Sequence, residues 1–314
     1  FIIAGVLGSS LAAIFIGFAS SLWALLPTLI VIGLCNALFH PQALAAARSL
    51  SGNRHGLGMS IFLIGGEIGR GVWPILASLL VVHWGIRQLW LLAIPAVLST
   101  PLLWRYLPQQ PRRHPDAQPI AWRQHLGPMS LLIGFSTLRS LTMVGAVTFL
   151  PLLWVQRGHS LVEGASLITV LLVVGIIGNI GGGHFADRLS RRLIMFGACM
   201  ASALLLALFL LSSGLWLWLW LSLLGIALYA TLPLGILIGQ DIFPENRSLG
   251  SGIAMGFSNG LAAVLLAAFS LIPALHSPHT ALWIMVATVA LAALIGLALP
   301  ERHPGTATSA TTLH

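Results

Sequence analysis

The chain has no lysine, seven acidic residues and two cysteines in 314 positions, and charged residues of every kind make up only 7% of it. Soluble domains carry charge at about a quarter of their positions, so this scarcity excludes a soluble globular protein. The two cysteines, Cys35 and Cys199, both fall inside apolar runs, which points away from a disulfide framework and from a thiolate metal site. No H-E-x-x-H zinc motif, Walker loop or GxGxxG after a strand occurs. Nothing therefore implies a metal or another cofactor, and an ATP-driven pump is without support. The basic excess, a net charge of +8, is carried by arginine, mostly in short loops between apolar segments. It reads as membrane topology and not as a nucleic-acid footprint.

What fills the chain is apolar: 57% of residues are hydrophobic and the mean hydropathy is +0.96. Runs bounded by charge, Pro, Gly or Ser give ten candidate spans, at 1–19, 22–47, 58–82, 88–104, 128–154, 161–185, 193–211, 215–239, 249–271 and 281–299. Roughly twenty apolar residues cross a bilayer as a helix, whereas barrel strands are about ten long and alternate in polarity. The expected fold is an all-α integral membrane protein.

With Phe1 starting on one face, the alternating loops place eleven arginines there: Arg48, Arg54, Arg105, Arg112, Arg113, Arg123, Arg188, Arg191, Arg192, Arg247 and Arg302. Only Arg87 and Arg157 fall on the other face, and Arg70 and Arg139 stay within the membrane. Positive charge marks the cytoplasmic side, so both ends of this segment are expected on the cytoplasmic side of the cell (inner) membrane. The first run, Phe1 to Ala19, lacks a basic leader and a small-residue cleavage site and reads as a membrane helix already in progress.

The longest polar stretch, Arg105 to Gly127, has QQPRRHPDAQP at its centre. Its prolines forbid a regular helix, which makes it a cytoplasmic linker. The expected organisation is a helical region at 1–104, the linker at 105–127, a second helical region at 128–300 and a cytoplasmic tail at 301–314. The stretch NRHGLGMSIFLIGG from Asn53 can be laid against NRSLGSGIAMGFSNG from Asn246, which sets Gly56, Gly58 and Gly66 opposite Gly250, Gly252 and Gly260. A duplicated helical module of this kind is how secondary transporters place a substrate site between two halves.

The sharpest polar stop is GGGHFADRLSRR, Gly181 to Arg192, four charges between two long apolar runs. It resembles the loop signature of the major facilitator superfamily, G-x-L-A-D-R-x-G-R-R, through Gly183, Ala186, Asp187, Arg188, Arg191 and Arg192; Phe185 and Ser190 depart from it. Within that superfamily the chain is similar to the fosmidomycin-resistance group of drug exporters. The residues that carry this likeness are Phe39, His40, Pro41 and Ala43, then Ser51, Gly52, Arg54, His55 and Gly56, then Gly65 and Gly66. They continue with Arg139, Ser140, Phe149, Leu150 and Pro151, and end with Gln240, Pro244, Ser251, Gly252 and Gly256. Glu67, Arg70 and Trp73 stand where neutral or small residues would be expected. The resemblance implies a bundle of two six-helix halves, of which this chain holds four helices of the first and all of the second, about ten in total, with the sequence N-terminally incomplete. It also implies that the loop from Gly183 to Arg192 braces the cytoplasmic side. Asp187 is expected to dock near Gly56 to Gly58, where a helix dipole favours a carboxylate.

Charges inside the membrane are the candidates for chemistry, because each costs on the order of 3 kcal/mol to insert at mid-span. Glu67 and Arg70 lie three apart on one helical face, and Arg139 lies near the middle of the fifth span. Either Glu67 and Arg70 neutralise each other as a structural pair, or Glu67 exchanges protons while Arg139, with Arg70, attracts an anionic group. His40 is a packed or capping group or else part of the proton pathway, and Pro41 kinks or loosens its helix near a gate. Gly252, Gly256 and Gly260 form an every-fourth-residue stripe suited to helix packing, as do Gly178 and Gly182, and Gly66 is grouped with these packing or kink positions. Trp216, Trp218 and Trp220 read as an interfacial belt.

The leading expectation is a proton-coupled secondary transporter exporting a small anionic or amphipathic compound, of the drug or phosphonate type. Its partners are that substrate, a proton or other coupling ion, and the lipid bilayer. The alternatives are an importer of organic anions or sugars, a fragment that transports nothing, and a membrane-embedded hydrolase using Ser258 of the string GFSNG.

Overall fold

The computed structural model describes residues 1–107, 122–269, 271–272 and 277–300. Among these residues the chain is helical and no strand forms. The order is α1 (Ile2–Ile14, running on as a 3₁₀ turn Phe15–Phe18), α2 (Leu22–Leu50), α3 (His55–Trp84), a 3₁₀ stretch Ile86–Ala93, α4 (Ile94–Tyr106), α5 (Trp122–Gln156), α6 (Leu161–Ala186) and α7 (Arg191–Leu211). It continues with α8 (Leu215–Ala230), α9 (Leu232–Ile242), α10 (Arg247–Ser251), a π-helical segment Gly252–Phe257, α11 (Ser258–Phe269) and α12 (Pro278–Leu297). Among the described residues each of the ten apolar runs lies mainly in helix, some in one helix and others, such as 215–239, across more than one. Eight helical segments among the described residues are long and apolar enough to cross a membrane, and Ile2–Phe18 is a shorter apolar helix.

Local chemistry sets the breaks. Ser160 caps α6 in a reciprocal box, its hydroxyl accepting the Glu163 N–H while the Glu163 carboxylate accepts the Ser160 N–H, which satisfies two donors that a helix start leaves without carbonyls. Ser190 caps α7 through the Leu193 N–H. The run 215–239 is two helices, because Pro233 has no N–H to continue the ladder and sits in the first turn of α9. α5 is 35 residues long, or roughly 52 Å. It begins at Trp122, so the last six residues of the expected linker are helical. Residues 108–121, the core of that linker, and the tail 301–314 lie outside the described residues.

The helices group into two compact units, Phe1–Leu50 with Gly65–Pro119, and Ser51–Ile64 with Ile120–His314. The boundary falls inside α3, whose first turns belong to the second unit. In the first unit α1 packs along α2 and touches α4. In the second, α6 packs on α8, and α12 lies against both α5 and α7, around fully buried Phe135, Leu171, Met195, Phe209, Leu224 and Met285. The α6–α8 approach is backbone to backbone. A Cβ on Gly178 or Gly182 would collide with the carbonyls of Ile226 and Ala230, so only glycine permits this spacing. The outward faces carry exposed Leu204, Leu215, Val264 and Leu294, as suits a protein bathed in hydrocarbon. This is an integral membrane protein of all-α construction.

Candidate functional site

The polar loop after α6 does its work through one carboxylate. The first N–H groups of a helix have no intrahelical carbonyl to donate to, and in α3 two of them donate to Asp187: Gly56 N–H to Oδ1 at 2.8 Å and Leu57 N–H to Oδ2 at 3.2 Å. The approach requires glycine on both sides, since a Cβ on Gly56 would collide with Gly183, and one on Gly183 with Ser60 and Gly56. One turn further along, the Ser60 hydroxyl donates to the Asn179 carbonyl at 2.7 Å. The docking of Asp187 near Gly56 anticipated from the sequence is thus present as two hydrogen bonds.

The arginines of the same loop act separately. Arg191 forms an ion pair with Asp241 of α9 at 2.7 Å, with side chains only 18% and 12% exposed. Arg192 donates from Nε and Nη2 to the Leu299 carbonyl, at 3.1 and 2.7 Å, tying α7 to the end of α12. Arg188 is exposed, and its backbone N–H donates to the Phe185 carbonyl.

A second polar cluster lies in the middle of α5. Arg139 is 8% exposed, and its Nη2 donates to the Ser140 hydroxyl at 3.1 Å. Ser140 in turn donates to Oδ1 of Asn259 in α11 at 2.6 Å. The direction is fixed by chemistry: guanidinium only donates, so the serine oxygen accepts from it and sends its own proton on to the asparagine oxygen. What remains at this point is the donor-rich face of Arg139 and the amide NH₂ of Asn259. Among the described residues Arg139 makes no ion pair with a carboxylate. Among the described residues, Cys199 of α7 and Tyr229 of α8 lie within electrostatic reach of it.

The π-helical segment just before α11 positions Asn259. Ser258 is fully buried and its hydroxyl donates to the Ile253 carbonyl five residues back at 2.9 Å. That bond serves the helix, and it leaves Ser258 donating to a carbonyl where a hydrolase would need a base. The expected stripe Gly252, Gly256, Gly260 is interrupted, because Gly252 and Gly256 lie in the wider π turn. A Cβ on Gly256, Gly260 or Gly66 would meet nothing within 4 Å among the described residues. Close packing is found at other glycines, Gly178 and Gly182 among them.

The remaining sequence candidates sit in the first unit. Glu67 is 8% exposed within α3, and Arg70 is three residues further on the same helix, its side chain outside the described ones. Exposed His40 packs its ring edge-on to Phe39 at 5.2 Å, and Pro41 lies inside α2, which continues past it to Leu50. Ser140, Asn259 and Asp241 had no part assigned to them in the site by sequence reasoning. Among the described residues no group of three or more His, Cys, Asp or Glu side chains is placed to hold a metal.

A sequence model of the Major Facilitator Superfamily matches residues 1–267. The chain is 23% identical over 294 residues to the fosmidomycin resistance protein of Escherichia coli, an overlap covering 90% of this chain and 71% of that protein. It is 24% identical over 273 residues to the uncharacterised MFS-type transporter YfnC of Bacillus subtilis, covering 83% of this chain and 67% of the other. Among solved structures it resembles the Escherichia coli fucose:proton symporter FucP, with a TM-score of 0.79 at 13% identity over 96% of this chain and 83% of that one.

Proposed function

Because the chain belongs to the Major Facilitator Superfamily, we propose that it is a secondary transporter of the cell (inner) membrane that exports a small anionic or amphipathic compound in exchange for protons. The observation that carries this reading is Arg139, a guanidinium buried in the middle of α5 with no carboxylate partner among the described residues. A charge held at mid-membrane is costly, and an arriving oxyanion offsets that cost while accepting the donors that Arg139 and Asn259 present. A cation would meet only donors. Glu67 serves as the proton-exchanging group, with Arg70 and His40 beside the same pathway. The name of the Escherichia coli relative supports export, and Glu67, Arg70 and Trp73 leave room for a different substrate. Energy comes from an ion gradient, in keeping with the missing nucleotide motifs.

In this reading Asp187, with Gly183 and the arginines behind it, is a brace that holds the cytoplasmic side closed and releases when that side opens. The eleven-to-two arginine distribution supports a cytoplasmic position for the loop and for both ends of this segment. The test is proton-driven uptake of a labelled phosphonate into everted membrane vesicles. Arg139→Gln is expected to reduce uptake roughly tenfold or more, the loss attached to a charge-assisted hydrogen bond, while Arg139→Lys retains part of it. Uptake of the anion at the wild-type rate by Arg139→Gln would remove Arg139 from the substrate path.

A further inference from the structure

At the end of α6 opposite Asp187, the second unit carries a cavity of about 480 Å³ that plays no part in the transport reading. α6 has 26 residues, so the cavity lies roughly 39 Å along the helix from Asp187, at the other membrane–water boundary. Its walls include Trp154 from the end of α5, Arg157 and His159 from the α5–α6 turn, Glu163 from the first turn of α6, and Ser212 and Trp218 from around the α7–α8 connection. One side is a fixed aromatic wall. The His159 imidazole stacks on the Trp154 indole at 4.4 Å with planes 13° apart, and Trp218 meets Trp154 edge-on at 6.3 Å. Ser212 is held by the Trp220 indole N–H at 3.0 Å.

The cavity lining holds one cation, Arg157, and one carboxylate, Glu163, and they differ in how they are engaged. The Glu163 carboxylate is engaged by the Ser160 N–H at 2.8 Å and hydroxyl at 3.0 Å, with His159 Nδ1 3.6 Å away. It is committed to the cap of α6. Arg157 has no carboxylate partner among the described residues, so its cation is available to the cavity. The cavity edge includes Leu215, which with neighbouring Trp216 is 86% and 62% exposed at the start of α8. This is the depth at which tryptophan sits between acyl chains and head groups. A ligand that satisfies both ends needs an oxyanion for Arg157 and apolar chains for the rim.

We infer that this cavity is a lipid site, in which Arg157 holds the phosphate of a glycerophospholipid, the Trp154–His159 stack backs its glycerol, and its acyl chains lie along Leu215 and Trp216. Its volume suits a head group, since small-ligand pockets run from about 300 to 1,000 Å³. A bound lipid links the α5–α6 turn to the α7–α8 connection at the face away from the Asp187 brace.

Native mass spectrometry of the detergent-solubilised protein, titrated with phosphatidylglycerol, tests this. The wild type is expected to retain lipid, and Arg157→Gln to retain it roughly tenfold less or weaker still, as for removal of a charge-assisted contact. Arg157→Lys keeps the charge and most of the lipid, and Arg87→Gln, at the other arginine expected on that face, matches the wild type. Millimolar glycerol 3-phosphate is expected to leave the lipid in place. Equal retention by wild type and Arg157→Gln overturns the assignment. So does displacement by glycerol 3-phosphate, which would make this a site for soluble anions.

Discussion

Replacing Asp187 by Asn isolates the contact at the head of α3. The two N–H groups it receives, from Gly56 at 2.8 Å and Leu57 at 3.2 Å, have no carbonyl to turn to within the helix. Asparagine keeps one oxygen acceptor and puts an NH₂ where the second was, so one bond is lost to donor facing donor and the other loses its charge. A hydrogen bond to a charged group contributes about 1.5–3 kcal/mol, and the helix dipole adds about 0.3–1 kcal/mol. The 3.2 Å bond falls at the weak end and water recovers part of the loss, which leaves roughly 2 kcal/mol, or about thirtyfold in the equilibrium between docked and undocked loop. Hydrogen–deuterium exchange reads this directly, because these amides owe their protection to Asp187. The amides of Gly56 and Leu57 are expected to exchange about thirtyfold faster in Asp187→Asn, while Arg188→Gln, at an exposed neighbour, leaves them unchanged. Unaltered exchange in Asp187→Asn would refute the reasoning. So would an equal acceleration along the whole of α3, which would signal general loosening instead of a lost cap.

Further outcomes follow from other contacts. Arg191→Gln and Asp241→Asn are each expected to lower stability by about 1–3 kcal/mol, and the exchanged pair Arg191→Asp with Asp241→Arg to recover part of it, as judged by a double-mutant cycle on thermal unfolding. Gly178→Ala drives a methyl into the Ile226 carbonyl and should cost about 1–3 kcal/mol, visible as a lowered Tm in tryptophan fluorescence. The Glu163 carboxyl is held below its ordinary value of 4.5, first by the Ser160 N–H, then by the Ser160 hydroxyl and by His159. A value lowered by folding means the cap is at full strength above pH 4.5 and is lost as pH falls through the lower folded value. Protection of the Gly164 amide, corrected for intrinsic exchange, should therefore hold from neutral pH to 4.5 and collapse below it, whereas Glu163→Gln should show no such acid transition.

The helices were legible because each apolar run ends in water at a charge, a proline or a small polar residue, and all ten runs lie mainly in helix among the described residues. The docking point of Asp187 was legible for a similar reason: a helix start needs acceptors wherever it lies. Arg139 stood out as a charge in an apolar run. Its partners did not, since Ser140 and Asn259 are 119 positions apart and each alone is an ordinary small polar residue. Arg191 and Asp241 are likewise 50 apart. Two breaks carry a local signal in the sequence. Ser160 and Glu163 spell the S-x-x-E box that opens α6, and Pro233 marks the break between α8 and α9. The π turn left no such mark, for Gly252 to Phe257 reads as unbroken apolar helix, and so the glycine stripe was assigned a regularity that the backbone does not keep.

That turn has a consequence for insertions and deletions. An α-helix advances about 100° per residue, and a π turn accommodates one residue more than an α turn, so everything beyond Phe257 is rotated by about 100° from where continuous winding would leave it. Asn259 reaches Ser140 only with that offset in place. Deleting one residue between Gly252 and Phe257 would restore regular winding and swing Asn259 away from Arg139, although composition and span length would hardly change. In an alignment of relatives, a one-residue gap at this spot is thus a change in which side chains face the buried arginine.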